Sequence, residues 1–158
     1  MESVTILIDV QNIYYTTKQS YQRNFDYNRF WAEVSENREV VKAIAYAIDR
    51  GDEKQKQFQN ILKAIGFEVK LKPYIQRKDG SAKGDWDVGI TIDALEHAKN
   101  TDAIVLLSGD GDFDLLARKV IDDLNKKFIV YGVPNLTASA LINSATAFIP
   151  IDEKLLLP

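Results

Sequence analysis

The chain has 158 residues, 46% of them hydrophobic and 27% charged, the balance of a folded globular domain long enough to bury a core without disulfides or a structural metal. It has no cysteine, which excludes disulfides, thiolate metal sites and cysteine nucleophiles together. A net charge of −3 argues against attachment to nucleic acid by bulk charge, so recognition of a phosphate substrate has to be local.

In chain order the pattern alternates strands and helices. Residues 4–9 form an apolar run ending in polar residues, a strand, entered with no basic segment before it. Helices are expected from Ile13 and over 27–35, then a β-branched strand over 40–48. Over 53–65 the spacing of Phe58, Ile61, Leu62 and Ile65 is helical, with Gly66 as a stop. A strand over 67–71 follows, then a helix over 85–99 with Val88, Ile92 and Leu95 expected on its apolar face. The run 103–107 is nearly all apolar, as a central parallel strand should be. A helix over 113–124, a strand over 128–131, a helix over 136–144 and a short strand over 147–149 complete the series.

This alternation predicts an α/β fold, a three-layer α/β/α sandwich around a mainly parallel sheet, with residues 1–158 as a single domain. No apolar run approaches the roughly 20 residues of a membrane span, so the expected location is cytoplasmic with no membrane partner. The apolar tail Leu155-Leu156-Leu157 admits docking on its own core or on a second copy, which leaves a homo-oligomer open.

Sites in open α/β sheets form outside the carboxyl ends of the strands. Three polar clusters fall there: Asp9-Val10-Gln11-Asn12 after the first strand, Lys83-Gly84-Asp85-Trp86-Asp87 opening a helix, and Ser108-Gly109-Asp110-Gly111-Asp112-Phe113-Asp114 after the strand over 103–107. Carboxylates this close repel unless cations or hydrogen bonds compensate, and a hard oxygen-seeking ion such as Mg²⁺ or Mn²⁺ is the simplest compensation. Gly109 and Gly111 are expected to permit the tight turn. Asp112 and Asp114 also suit the start of the following helix as a cap and a dipole partner, whereas a cap does not require Asp110. Asp93 lies about 240° around its helix from Asp87, so it cannot share that face and ranks as a supporting residue.

From Glu68 to Lys83 there are five positive residues (Lys70, Lys72, Arg77, Lys78, Lys83) against two negative ones. Lys72, Arg77, Lys78 and Lys83 are the candidates for nucleic-acid backbone contact, and Tyr74 and Trp86 for stacking on bases, with core packing an equal alternative for Trp86. His97 is read as a surface residue, and the chemistry does not need it.

The motifs Ile8-Asp9-Val10-Gln11-Asn12, Lys83-Gly84-Asp85-Trp86-Asp87-Val88 followed by Asp93, and Leu107-Ser108-Gly109-Asp110-Gly111-Asp112-Phe113 together resemble the LabA-like branch of the NYN domains, within the PIN-like nuclease superfamily. The resemblance implies metal-dependent nuclease chemistry giving 5′-phosphate and 3′-hydroxyl products, and a nucleic-acid partner, RNA before DNA. Carried over by position, Asp9, Asp87, Asp110 and Asp112 match its acidic metal-binding set, while Asn12 and Ser108 match residues that hold that set in place. Relatives often carry aspartate where this chain has Thr146, a peripheral departure. The alternative is a regulatory or RNA-binding module on the same fold. A phosphatase using a nucleophilic aspartate is disfavoured because Gln11 stands where its second aspartate is required, and no glycine-rich loop follows the first strand to suggest dinucleotide binding.

Overall fold

The computed structural model describes residues 1–73, 75–76, 82–83 and 85–158, with the side chains of 75, 76, 82 and 83 left aside. Its elements are β1 (Glu2–Asp9), α1 (Val10–Tyr21), α2 (Tyr27–Ser35), β2 (Arg38–Asp49), α3 (Glu53–Ile65), β3 (Glu68–Pro73), β4 (Ile75–Gln76), β5 (Ala82–Lys83), α4 (Asp87–Ala98), β6 (Ala103–Leu107), α5 (Asp114–Arg118), β7 (Lys127–Gly132), α6 (Ser139–Ser144) and β8 (Ala147–Pro150). Six strands pair in the order β3-β2-β1-β6-β7-β8, every neighbour parallel.

Side chains alternate across the central strands, as a period of two requires. Val4, Ile6 and Ile8 of β1 and Ala103, Val105 and Leu107 of β6 face one core, shared with Ile13, Phe30, Val34 and Leu62 of α1–α3. Leu7, Ile104 and Leu106 face the other, shared with Ile90, Ala94, Leu116 and Leu141 of α4–α6. Both faces are therefore covered, which is why β1 and β6 read as unbroken apolar runs. The expected α/β/α sandwich is the observed one. No helix among the described residues is long and apolar enough to cross a membrane.

Four local expectations are corrected. Helix α1 begins at Val10, not Ile13, because the Asp9 side chain accepts the Asn12 N–H and starts the helix at once. In α4 the buried face is Ile90, Ala94 and Ala98, while Val88 is 70% and Ile92 60% exposed. The small alanines bring this helix close to the sheet, and burial follows that contact rather than the size of the apolar residue. The helix expected over 113–124 is a 3₁₀ turn at Gly111–Phe113, α5, and a π turn at Lys119–Asp123. Between the strand over 67–71 and the helix over 85–99, where no element is expected, β4 and β5 pair antiparallel.

The tail docks on its own core. Leu155 and Leu156 are buried, Asp26 N–H donates to the Leu155 carbonyl at 2.7 Å, and Leu157 N–H donates to the Asn24 carbonyl at 2.8 Å.

After β3 the chain crosses to the opposite side of β1 and resumes at β6, so the strand order switches direction between these two neighbours. A crevice opens at such a point because the connections leaving β1 and β6 run to opposite faces of the sheet. Asp9 ends β1, and Ser108 follows β6 directly.

Candidate metal centre at the switch point

The two turns are tied to each other before any carboxylate is considered. The Asn12 side-chain oxygen, in the first turn of α1, accepts the Gly109 N–H at 2.9 Å, across 97 residues of sequence. The Ser108 hydroxyl accepts the Asp110 N–H at 3.2 Å and also hydrogen-bonds the Asp9 side chain. Gly109 is required by space: its backbone dihedral φ is not positive, but a Cβ there would collide with the Leu136 carbonyl oxygen, and its own carbonyl accepts the Ala138 N–H at 3.0 Å. The expected role in a tight turn gives way to close backbone approach.

Carboxylate oxygens of Asp87, Asp110 and Asp112 lie within 4.8 Å of one another. Asp87 is the first residue of α4, and the other two flank Gly111 after β6. Asp110 caps the 3₁₀ turn, its Oδ1 accepting the Asp112 N–H at 2.9 Å. This overturns the expectation that capping would fall to Asp112 and not to Asp110. One Asp110 oxygen holds the backbone in place while its carboxylate stays in the cluster. Asp114 stands apart from it, 3.8 Å from Arg118 one helical turn on.

The electrostatics follow from burial and crowding. Asp9 is pushed up to about 6, first by loss of water and then by the charges of Asp110 and Asp85, against the opposing hydrogen bonds from Asn12 N–H and Ser108. Asp87 is pushed up to about 7 by burial and by sharing a hydrogen bond with Asp110, with Asp85 and Asp9 adding repulsion. A carboxyl pair this close retains a proton near neutrality unless a cation takes its place. The donors are all oxygen, with no nitrogen or sulfur, and this set fits a hard divalent ion.

Asp85 was passed over in the sequence in favour of Asp87. Its side chain accepts the Asp87 N–H at 3.2 Å and adds negative potential to the cluster. The signal was available: an aspartate two residues before a helix start is an Asx-turn pattern. Asp93 faces elsewhere, within 2.8 Å of the Lys70 ammonium and accepting the Tyr46 hydroxyl at 2.7 Å. Trp86 is a packing residue, its indole N–H donating to the Ala47 carbonyl at 2.9 Å and its ring against Tyr46 at 5.2 Å. Lys72 donates to the Asp85 carbonyl at 3.0 Å and lies 4.6 Å over the Trp86 ring, so it buttresses the turn that carries Asp85 and Asp87. Tyr74, Arg77 and Lys78 lie outside the described residues, as does the side chain of Lys83. Thr146 spans β7 at its far end, where its hydroxyl accepts the Phe128 N–H at 2.9 Å, away from the carboxylates.

The NYN domain profile matches residues 3–152. The chain belongs to the NYN domain family. That places it among PIN-like nuclease domains with a carboxylate cluster at the sheet switch point. This NYN chain is 28% identical to the Low amplitude and bright protein LabA of Synechococcus elongatus over 165 residues, covering 95% of this chain and 84% of that one. It is 57% identical to a protein of unknown function from Vibrio parahaemolyticus whose crystal structure superposes with a TM-score of 0.94, over 99% of this chain and 96% of that one. Ribokinase from Giardia lamblia, 10% identical with a TM-score of 0.50 over 97% of this chain and 58% of that one, shares the general α/β layering.

Proposed function

We propose that this NYN protein is a cytoplasmic nuclease that hydrolyses phosphodiester bonds with Mg²⁺ or Mn²⁺, on RNA in preference to DNA. The observation that carries the reading is the convergence of Asp87, Asp110 and Asp112 from two segments of the chain, with no ion pair to offset their charge among the described residues. Asp110 and Asp9 stand on the two sides of the switch point and are the central ligands. Asp87 and Asp112 complete the set. A divalent ion held by these residues would supply Lewis acidity, for activating a water and for offsetting charge on the phosphate.

The chain's own part is to hold its carboxylates in place. Asn12 joins the two turns through Gly109 N–H, Ser108 orients Asp9 and Asp110, and Asp85 fixes the start of α4. The crowded carboxylates accept a cation at neutral pH more readily than they all ionise without one, and they surrender a proton as the cation enters.

The test is incubation of purified protein with labelled single- and double-stranded RNA and DNA, in Mn²⁺ or in chelator, beside Asp110→Asn. The expected result is metal-dependent cleavage that Asp110→Asn abolishes. Equal cleavage by both proteins would remove the assignment.

A further inference from the structure

On the α1–α3 side of the sheet lies a groove of about 590 Å³. Val10 and Gln11, which directly follow Asp9, form its near end. Tyr27 on its wall is close enough to Asp9 to feel that charge, so this end of the groove lies on the Asp9 side of the switch point.

Its walls show two things that packing leaves unexplained. Tyr14 and Tyr15 are 52% and 51% exposed, edge to face at 5.5 Å, so two large rings remain in water at the groove. Gln59 is only 8% exposed, yet its amide makes no hydrogen bond among the described residues. No described side-chain polar atom is both fully buried and unpartnered, so the Gln59 amide keeps access to solvent, and the groove it lines is where that access lies. Neighbouring polar groups are already engaged. Gln55 accepts the Arg50 N–H and donates to the Ile48 carbonyl, while Asp26 and Asp52 cap α2 and α3.

A free amide offers a donor and an acceptor side by side, the pattern that matches the edge of a nucleobase. Aromatic rings left in water supply stacking surfaces, and a mostly apolar groove admits an uncharged ring. We propose that the groove receives one unstacked nucleobase of the strand whose phosphate lies at the carboxylates. Tyr14 or Tyr15 stacks on that base and Gln59 hydrogen-bonds its edge. The inference rests on the nuclease reading and adds to it a requirement for a single strand, since a paired base cannot enter, and a base preference at one position.

The experiment measures affinity for fluorescein-labelled single-stranded RNA and DNA in Mn²⁺, using the full chain with Asp110→Asn so that the strand stays intact. Tyr14→Ala, on the surface, and Gln59→Leu, of similar volume, are added to it singly, and their thermal melts check folding. Each is expected to weaken binding about 5-fold or more. One abasic position in the strand should make all proteins bind alike. Unchanged affinity in both folded variants would overturn the proposal, as would a change in sedimentation showing that the groove joins two copies or a loss confined to duplex. Wild-type protein that binds single strands through these residues yet never cleaves them overturns the nuclease reading alone. Normal cleavage with groove variants indistinguishable from wild type overturns the groove alone.

Discussion

Helix α4 carries two aspartates six residues apart that have opposite circumstances. Asp93 has its own cation, Lys70, and a hydroxyl donor, Tyr46, which hold its carboxyl below the usual range against the cost of burial. Asp87 has neither among the described residues; burial and a second carboxylate push it up. The same residue type on the same helix is thus complete at one end and incomplete at the other. A carboxylate that stabilises the fold has its counter-charge built into the chain, whereas the Asp87 cluster leaves that charge to be supplied from outside.

The largest break in this comparison is kinetic. Asp110→Asn should lower cleavage at least about 100-fold, about 2.7 kcal/mol of transition-state stabilisation, while Asp93→Asn leaves the rate near wild type. Equal losses in the two variants, measured on one labelled RNA, would erase the distinction between the two ends of α4.

Next in size is the response to metal. At Mn²⁺ about 100-fold above its dissociation constant, the native state gains about 2.7 kcal/mol, roughly 5–10 °C in a thermal melt. Asp110→Asn should lose that gain and Asp93→Ala should keep it. A melt insensitive to millimolar Mn²⁺ would count against a formed site. In chelator the order reverses. Asp93→Ala should cost about 1–2 kcal/mol of stability, because it leaves the Tyr46 hydroxyl and Lys70 without their partner. Asp110→Asn should cost less than that, since it removes repulsion as it weakens a cap.

The smallest effect is in pH. Asp9 and Asp87 are raised, so the folded protein holds protons there that the unfolded chain has released. Metal-free stability is free of this penalty below the unfolded carboxyl value near 4 and falls as pH rises toward about 7. Asp93 is lowered, so its contribution is present above the unfolded value and disappears as pH falls through the folded one. Melting temperature in chelator should therefore peak in mildly acid solution. Asp110→Asn should flatten the neutral limb and Asp93→Asn the acid limb; a wild-type profile that is level from pH 5 to pH 8 would contradict the raised values of Asp9 and Asp87.

Much of this was legible in the sequence because it depends on periodicity and strand ends. The unbroken apolar runs of β1 and β6 announced strands buried on both faces, and the position of Asp9 and Ser108 after them located the crevice. What stayed hidden depends on distances no spacing encodes. The apolar face of α4 was misplaced because Val88 and Ile92 outrank Ala94 and Ala98 in hydrophobicity, though the alanines are what fit against the sheet. Asp110 was not seen as a cap because the 3₁₀ turn begins two residues earlier than the apolar pattern suggests. Gln59 gave no signal, since it joins Tyr14 and Tyr15 at one groove only where α1 and α3 come together in the folded protein.

The pairing of β1 with β6 also dictates when the centre can exist. Val4 lies opposite Ala103, and Asn12 reaches Gly109, so the ends of the crevice are about a hundred residues apart along the polypeptide. Loops of that length close late relative to local helices. A ribosome-bound chain that has emerged only through α4 presents Asp9 and Asp87 without Asp110 or Asp112, and Asp87 meets those two carboxylates only after β6 has slotted in beside β1.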